Sequence, residues 1–245
     1  MNRNKAVRDI VSIGKRLYEK GMVASNDGNL SVKINKNEIA ITPTGICKGD
    51  MAASDILIVD MKSRKVISGK KKITSEAPMH FSIYEERNDA IAVVHAHPVV
   101  ATALAVAGVQ LDSCILPEIV LTIGIIPLAD YATPSTSEVP ESIKNYIKKH
   151  DVVLLANHGA ISIGKDLWDA YFKMERLEHY AQIFLVSKLL GSQRILTSDE
   201  VCKLQMLSPE KPIECKSCSV DSKVENSEAD EKLTQVFRSL LNKKQ

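Results

Sequence analysis

The sequence lacks several features that mark particular classes of protein. Aromatic residues make up only 4% of the chain, and its 32 basic residues are almost balanced by 30 acidic ones. Because these charges are spread along the sequence, with a net charge of +2, the chain presents no basic face of the size that a nucleic acid requires. We therefore expect a small molecule as partner, and no nucleic acid.

Cysteine and long apolar runs are also scarce. The five cysteines form no regular framework, which fits a reducing compartment better than a disulfide scaffold. Cys215 and Cys218 resemble half of a zinc ribbon or a redox pair, but no second pair completes either motif. The longest apolar stretch, residues 90–107, is interrupted by two histidines and a proline, and the first residues contain no signal-peptide core. We expect a cytoplasmic protein with no membrane partner.

The motifs of nucleotide-binding proteins and serine hydrolases are missing as well. The sequence contains no P-loop, no dinucleotide-binding glycine fingerprint and no nucleophile elbow. Nucleotide chemistry is therefore not expected.

The sequence does contain enough apolar residues for one substantial domain. Hydrophobic residues make up 44% of its 245 positions. Consecutive strands joined by tight turns favour an antiparallel or mixed sheet over a strict alternation of strands and helices. We predict an α/β domain over residues 1–208, followed by a polar linker and an amphipathic helix in residues 209–245. The predicted helices are 3–20, 75–86, 98–107, 138–149 and 166–190, and the predicted strands include 30–34, 38–42, 56–59 and 66–67.

Two histidines stand at the end of a further strand, which Val93 and Val94 predict. Residues two apart on a strand point to the same face, so His95 and His97 would project side by side. A lone histidine among apolar residues is usually a core residue with a hydrogen-bonded ring. A pair at this spacing favours a shared metal ion instead.

A third histidine, His158, ends another short apolar run, where Gly159 is expected to let the backbone turn. Three neutral imidazoles are the ligand set of many catalytic zinc sites, which keep a position open for water or substrate. Structural zinc sites are closed by four ligands and favour cysteine. The three histidines therefore indicate a catalytic metal site.

Six short motifs in unbroken order carry the strongest signal in the sequence. They are Gly28-Asn29, Thr42-Pro43-Thr44-Gly45, Thr74-Ser75-Glu76, His95-Ala96-His97, Asp130-Tyr131-Ala132-Thr133 and Asn157-His158-Gly159. In this order, over roughly residues 5–205, the chain resembles the class II aldolase and adducin head family. Within that family it is most similar to the branch of L-fuculose-1-phosphate aldolases.

The resemblance implies a three-layer α/β/α sandwich around a mostly antiparallel sheet, assembled as a homotetramer. It implies a zinc ion, with manganese or cobalt as alternatives, and Glu76 beside the ion as catalytic acid and base. The implied metal ligands are His95, His97 and His158. The residues implied at the substrate phosphate are Asn29, Thr44, Gly45, Thr74 and Ser75. The implied reaction is the reversible cleavage of a (deoxy)ketose 1-phosphate, such as L-fuculose 1-phosphate or 5-deoxyribulose 1-phosphate, to dihydroxyacetone phosphate and an aldehyde.

The residues around Glu76 have a second interpretation. An acid in the first turn of the predicted helix 75–86, with Ser75 as its N-cap, interacts favourably with the helix dipole without any catalytic role. The place of Glu76 between Ser75 and the histidine pair favours catalysis. His80, one turn later on the same face, either contacts the site or packs in the core.

The chain departs from the family pattern where the aldehyde half of the substrate would bind. Two tyrosines ascribed to that half in fuculose aldolases have no counterpart, because Leu116-Pro117-Glu118 occupies the first region and no tyrosine follows Tyr180. Glu118 lies much where the methylthioribulose-1-phosphate dehydratases of this fold carry an acid/base glutamate. Beside a proline, a glutamate is otherwise usually a surface charge or a cap.

Three other functions therefore stay open. The first is a methylthioribulose-1-phosphate dehydratase that uses Glu118. The second is a ribulose-5-phosphate 4-epimerase, although that branch carries aspartate where Glu76 stands. The third is an adducin-like interaction module, which would not need three converging imidazoles.

Overall fold

The computed structural model describes residues 1–207, and eight strands in this part of the chain form one continuous sheet. The strands are β1 (Asn29–Lys33), β2 (Glu38–Ile41), β3 (Leu57–Asp60), β4 (Val66–Ser68), β5 (Ala92–Ala96), β6 (Leu128–Ala129), β7 (Val152–Leu155) and β8 (Gly159–Gly164). The helices are α1 (Arg3–Glu19), α2 (Ala77–Glu86), α3 (Val99–Val106), α4 (Pro117–Thr122), α5 (Glu138–Ile147), α6 (Leu167–Leu189) and α7 (Ser198–Leu207), with a 3₁₀ turn at Ala53–Asp55. The predicted linker and helix in 209–245 lie outside the described residues.

The strand order across the sheet is β4-β3-β2-β1-β5-β8-β7-β6. Neighbouring strands are antiparallel except at one edge, where the two-residue strand β6 runs parallel to β7. The mostly antiparallel sheet predicted for the chain is therefore confirmed. The order also places β1, β5 and β8 side by side near the middle of the sheet.

Helices cover both faces of the sheet, which confirms the three-layer α/β/α sandwich. Buried side chains of α1, α3 and α6 pack on one face, and those of α2 and α5 pack on the other. The strand β7 shows how the sequence meets both layers. Val152 and Leu154 join the first cluster, whereas Val153 and Leu155 join the second. A strand buried on both faces is apolar at every position, as this one is.

The pleat of the central strands directs several polar side chains toward α2. Along β5, Val94 packs in the α1, α3 and α6 cluster and Val93 packs in the α2 and α5 cluster. His95 lies two residues after Val93 and therefore on the α2 side. Across the ladder, Asn29 pairs with His95 and Ser31 pairs with Val93. Directly paired residues share a face, so Asn29 and Ser31 also project toward α2.

Several local features differ from the expectations. Helix α2 begins at Ala77 with Glu76 as its N-cap residue, so the expectation that Ser75 caps this helix is wrong. His179, within the predicted helix 166–190, is exposed. The sequence pattern does not predict β8, α4 or α7. Helices α4 and α7 are short and pack on one another through Val120 and Val201, so tertiary contacts and not local periodicity stabilise them.

No helix within residues 1–207 combines the length and the apolar character that crossing a bilayer requires.

Candidate metal centre

Three histidine rings meet at one end of the central strands. His95 belongs to β5, His97 follows that strand, and His158 lies in the turn between β7 and β8. Their ring centroids are 4.7 to 5.2 Å apart, and one nitrogen from each ring lies within 4.8 Å of the others. Because β8 pairs with both β5 and β7, the sheet itself brings the two histidine-bearing segments together.

Hydrogen bonds fix which ring nitrogens face the centre. His95 Nδ1 lies 3.0 Å from the carbonyl oxygen of Ala160, which can only accept, so the proton is on Nδ1. Burial lowers the pKa of His95 to about 3, so its Nε2 is bare at neutral pH. His97 Nδ1 lies 3.6 Å from a carboxylate oxygen of Asp27, which favours the same tautomer. The two Nε2 atoms are 3.1 Å apart, and their lone pairs repel unless a cation lies between them.

The spacing of the nitrogens suits a divalent ion. Ligand nitrogens about 2.05 Å from a tetrahedral zinc ion lie about 3.4 Å from one another. The 3.1 Å between the Nε2 atoms of His95 and His97 is close to this value. With the ligand atoms of all three histidines within 4.8 Å of one another, the three rings could hold one divalent metal ion.

The carboxylate of Glu76 contacts two of the three histidines. Its Oε2 lies 3.3 Å from His95 Nε2, and its Oε1 lies 3.3 Å from His158 Nε2. The amide nitrogen of Asn29 lies 2.6 Å from Oε2, whereas Oε1 is buried without a hydrogen-bond partner among the described residues. Burial raises the pKa of Glu76, but the interactions with His95, His158 and Asn29 outweigh it and hold the pKa below its usual range. An ionised oxygen that accepts no hydrogen bond is a second feature that a divalent cation would satisfy.

The turn that carries His158 depends on two backbone positions. Asn157, and not Gly159, adopts the left-handed conformation (φ 58°), so the expectation that Gly159 supplies the turn is wrong. Asparagine tolerates this region better than most residues. Gly159 is required for space, because a Cβ atom there would lie 2.5 Å from His97 Cδ2 and 2.6 Å from the carbonyl oxygen of Ala96.

Asp27 is a site residue that the sequence analysis missed. It lies in the turn before β1, where Gly28 (φ 72°) passes so close to β5 that a Cβ atom would lie 2.8 Å from the His95 carbonyl oxygen. Metal-binding histidines usually donate their second N–H to a carboxylate or carbonyl, as His95 does to Ala160. Asp27 occupies that place for His97. In the sequence it reads only as part of a turn.

The residues expected at the phosphate come from neighbouring loops. An isolated β-bridge joins Pro43 to Ile73, which places the turn after β2 beside the loop before α2. The members of the set on these two loops are Thr44, Gly45, Thr74 and Ser75, of which Thr74 is buried and the others are exposed. Exposed hydroxyl and amide groups are thus available beside the N-terminus of α2.

Asn29 differs from the other residues of that set. It is only 2% exposed, its amide nitrogen donates to Glu76, and its amide oxygen accepts from His80. Asn29 therefore lies behind Glu76. A phosphate contact would use the remaining N–H of the same amide.

Lys48 joins two of these loops and was also missed. Its Nζ donates to the carbonyl oxygens of Asn26 (2.9 Å) and Ile46 (2.8 Å), and burial lowers the pKa of Lys48 to about 8. The side chain is 1% exposed. A lysine followed by glycine and aspartate normally indicates a solvent-exposed turn, so no local signal reveals this contact.

Glu118 and Tyr131 are both exposed to solvent. Glu118 is exposed on the first turn of α4, and its carboxylate is not among the ligand atoms that converge. Tyr131 is 60% exposed. A catalytic role for Glu118 stays a prediction.

Comparison with known proteins identifies the family. The model of the Class II Aldolase and Adducin N-terminal domain matches residues 8–185. The chain belongs to this family. The matched class II aldolase segment contains β1, α2, β5 and the turn between β7 and β8, and so includes the whole histidine centre.

Relatives within the class II aldolase family carry more than one activity in their names. The chain is 34% identical over 183 residues to the L-fuculose phosphate aldolase of Methanococcus maripaludis, covering 75% of this chain and 97% of that protein. It is 31% identical over 209 residues to the 3-oxo-tetronate 4-phosphate decarboxylase of Pectobacterium atrosepticum, covering 83% of this chain and 94% of that protein. The solved structure of an L-fuculose 1-phosphate aldolase matches with a TM-score of 0.76 and 30% identity, covering 83% of this chain and 95% of that one. Family membership alone therefore does not decide the reaction.

Proposed function

We propose that this protein is a zinc-dependent lyase that reversibly cleaves a (deoxy)ketose 1-phosphate to dihydroxyacetone phosphate and an aldehyde. L-fuculose 1-phosphate and 5-deoxyribulose 1-phosphate are the candidate substrates. The observation that carries the proposal is that three imidazoles lie close enough to share one metal ion, and that two of them lie 3.3 Å from the carboxylate oxygens of Glu76. Membership of the class II aldolase family and the similarity to proteins named as fuculose phosphate aldolases support it. We further propose that the protein acts as a cytoplasmic homotetramer.

The side chains divide the work as follows. His95, His97 and His158 would hold the zinc ion, or manganese or cobalt in its place. When bound, the ion would stabilise the negative charge that develops on the substrate oxygens as the carbon–carbon bond breaks. One group must accept the hydroxyl proton of the departing aldehyde. Glu76 is ionised in the free protein, and exclusion of water by a bound substrate would raise its pKa so that it takes up a proton. Glu76 would then deliver this proton to the carbon atom left behind, which gives dihydroxyacetone phosphate and leaves the carboxylate ionised again.

The phosphate would bind at the loops beside α2. Thr44, Gly45, Thr74 and Ser75 offer hydroxyl and backbone N–H groups there, with the free N–H of Asn29 as a further donor. The N-terminus of a helix favours an anion because its first N–H groups point outward.

An assay panel tests this proposal. The purified protein with added zinc is offered fuculose 1-phosphate, 5-deoxyribulose 1-phosphate, methylthioribulose 1-phosphate, ribulose 5-phosphate and a 3-oxo-tetronate 4-phosphate. We expect release of dihydroxyacetone phosphate from at least one ketose 1-phosphate, and loss of that release with a chelator. Carbon dioxide release from the oxo acid alone would assign the site to decarboxylation. A protein that binds no metal and gains no activity with zinc, manganese or cobalt would end the enzymatic proposal.

A dehydratase is the second candidate, because Glu118 is exposed at a spacing similar to that of the dehydratase glutamate. The variant Glu118→Gln separates the two reactions. If the protein is an aldolase, cleavage of ketose 1-phosphate stays within about threefold of wild type, because Glu118 is exposed and is not one of the grouped ligand residues. Loss of water elimination from methylthioribulose 1-phosphate in this variant would instead support the dehydratase.

A further inference from the structure

A chain of four buried polar side chains leads away from Glu76 into the protein. Asn29 Nδ2 lies 2.6 Å from Glu76 Oε2, and Asn29 Oδ1 contacts His80 Nε2. Ser31 Oγ lies 2.6 Å from His80 Nδ1 and 2.7 Å from Tyr84 Oη. Each of these four residues is at most 3% exposed. These hydrogen bonds run between β1 and α2, whose facing sides carry the residues involved.

The proton positions in this series of hydrogen bonds are fixed by the contact between Asn29 and Glu76. The amide nitrogen of Asn29 donates to Glu76 Oε2 at 2.6 Å, so the amide oxygen of Asn29 faces His80. His80 Nε2 must then carry the ring proton, which leaves Nδ1 as an acceptor. Ser31 donates to that Nδ1 and accepts from the Tyr84 hydroxyl.

The opposite arrangement is unfavourable at each step. If the Asn29 amide were flipped, its oxygen would face a carboxylate oxygen at 2.6 Å, and two acceptors would repel. Burial lowers the pKa of His80 to about 4, so the ring is neutral and carries one proton at neutral pH. Burial raises the pKa of Tyr84, so its hydroxyl keeps its proton. Every hydrogen bond in this series therefore donates in the same direction, from Tyr84 toward Glu76.

We propose that His80 is a positioning residue for Glu76. By accepting from Ser31 and donating to Asn29, it holds the amide in the one orientation that binds Oε2 and leaves Oε1 3.3 Å from His158 Nε2. The inference rests on the proposed function only for its kinetic consequence. The direction of these hydrogen bonds is a property of the folded protein itself.

The two buried histidines around Glu76 then carry their protons on different nitrogens. His95 is protonated on Nδ1, because it donates to Ala160, and His80 is protonated on Nε2. Nitrogen NMR of protein labelled with ¹⁵N in the imidazole rings distinguishes the two tautomers directly. We expect the Nε2–H form for His80 at neutral pH, with and without zinc, and the His80→Gln variant identifies its signal. A His80 ring that is protonated on Nδ1 would overturn the proposal, whatever reaction the protein catalyses.

Kinetic variants test the consequence for catalysis. Ser31→Ala removes the donor that fixes the His80 tautomer without touching Glu76 or the histidine triad. Ser162→Ala is the matched control, because Ser162 is likewise fully buried on a central strand and donates to the Ala170 carbonyl oxygen at 2.7 Å. We expect Ser31→Ala to lower kcat about tenfold, with KM and bound zinc nearly unchanged, and the control to leave kcat unchanged. Equal kcat values in the two variants would contradict a positioning role.

Replacement of His80 itself gives a rescue experiment. Glutamine places an NH₂ group near the position of Nε2 and can still donate to Asn29, whereas phenylalanine keeps the ring volume without a donor. We expect His80→Gln to retain kcat within about threefold and His80→Phe to lower it about 10- to 100-fold at full zinc content. A phenylalanine variant as active as the glutamine variant would refute the proposal. If wild-type protein cleaves none of the ketose phosphates, the proposed function fails, while the NMR result still decides this inference.

Discussion

On one side of Glu76 the polar atoms repel one another, and on the other side every one of them is paired. Toward the histidines, two bare nitrogens face each other at 3.1 Å, and Oε1 accepts no hydrogen bond from the described residues although it lies 3.3 Å from His158 Nε2. Toward the interior, each donor from Tyr84 to Asn29 meets an acceptor. The first side is complete only with a cation, and the second is complete in the protein alone.

This difference separates residues that need a ligand from residues that prepare its place. Buried polar groups without partners destabilise a fold, so they persist where a ligand satisfies them. A fully paired network adds rigidity and does not depend on the ligand. Substitutions on the two sides should therefore affect different measurements.

The largest effect on metal binding and activity is expected from replacing one of the three histidines. We expect His158→Ala to bind no stoichiometric zinc and to show no detectable cleavage, because two remaining imidazoles do not complete a catalytic ligand set. Metal analysis by mass spectrometry and the assay for dihydroxyacetone phosphate measure the two results. His179→Ala, at an exposed position of α6, is the control and should keep both. Full zinc content in the His158 variant would show that the triad is not the metal site.

We expect Glu76→Gln to separate zinc binding from turnover, both of which His158→Ala is expected to abolish. The histidines stay in place, so we expect zinc content to remain stoichiometric. Turnover should fall about 10²- to 10⁴-fold, which is the usual contribution of a general acid or base. Steady-state kinetics and metal analysis on the same preparation check this. Unchanged turnover would remove Glu76 from the mechanism.

Asp27→Asn tests the orientation of the most exposed ligand, His97. An amide is a weaker acceptor than a carboxylate, so the Nδ1–H of His97 is held less firmly. We expect the zinc dissociation constant to rise about 10- to 100-fold, with the fold intact by circular dichroism. Competition with a chromophoric chelator measures it. An unchanged dissociation constant would mean that Asp27 does not orient this ring.

The smallest expected effect is the contribution of His80 to the pH dependence of the free energy of unfolding. The pKa of His80 is about 4 in the folded protein because the ring is buried, against about 6.5 in an unfolded chain. As the pH falls below 6.5, the unfolded state binds a proton that the folded state excludes, so stability is lost toward about pH 4. Between about pH 6 and pH 5, the free energy of unfolding of metal-free wild type should fall by about 1 kcal/mol more than that of His80→Gln. Urea unfolding at each pH measures this, and parallel curves would contradict it.

The sequence predicts well that His95 and His97 lie side by side and that the sheet is mostly antiparallel, because both depend on short spacings. Alternation along β5 is enough to place His95 and His97 together. The partner of His97 depends on a turn that precedes another strand, and Asp27 resembles any turn aspartate until β1 pairs with β5. The direction of the hydrogen bonds behind Glu76 likewise depends on β1 facing α2. Lys48 was missed for the same reason, since only the folded loops enclose it.

The space at Gly159 has a consequence for anyone who redesigns this protein. With His97 Cδ2 and the Ala96 carbonyl oxygen both closer than 3 Å to the place of a Cβ atom, no side chain fits at this position without moving the neighbouring strand. Library diversity at residues 156–159 should therefore yield mostly inactive clones. Exposed positions of α4, such as Glu118, can by contrast change without disturbing the sheet.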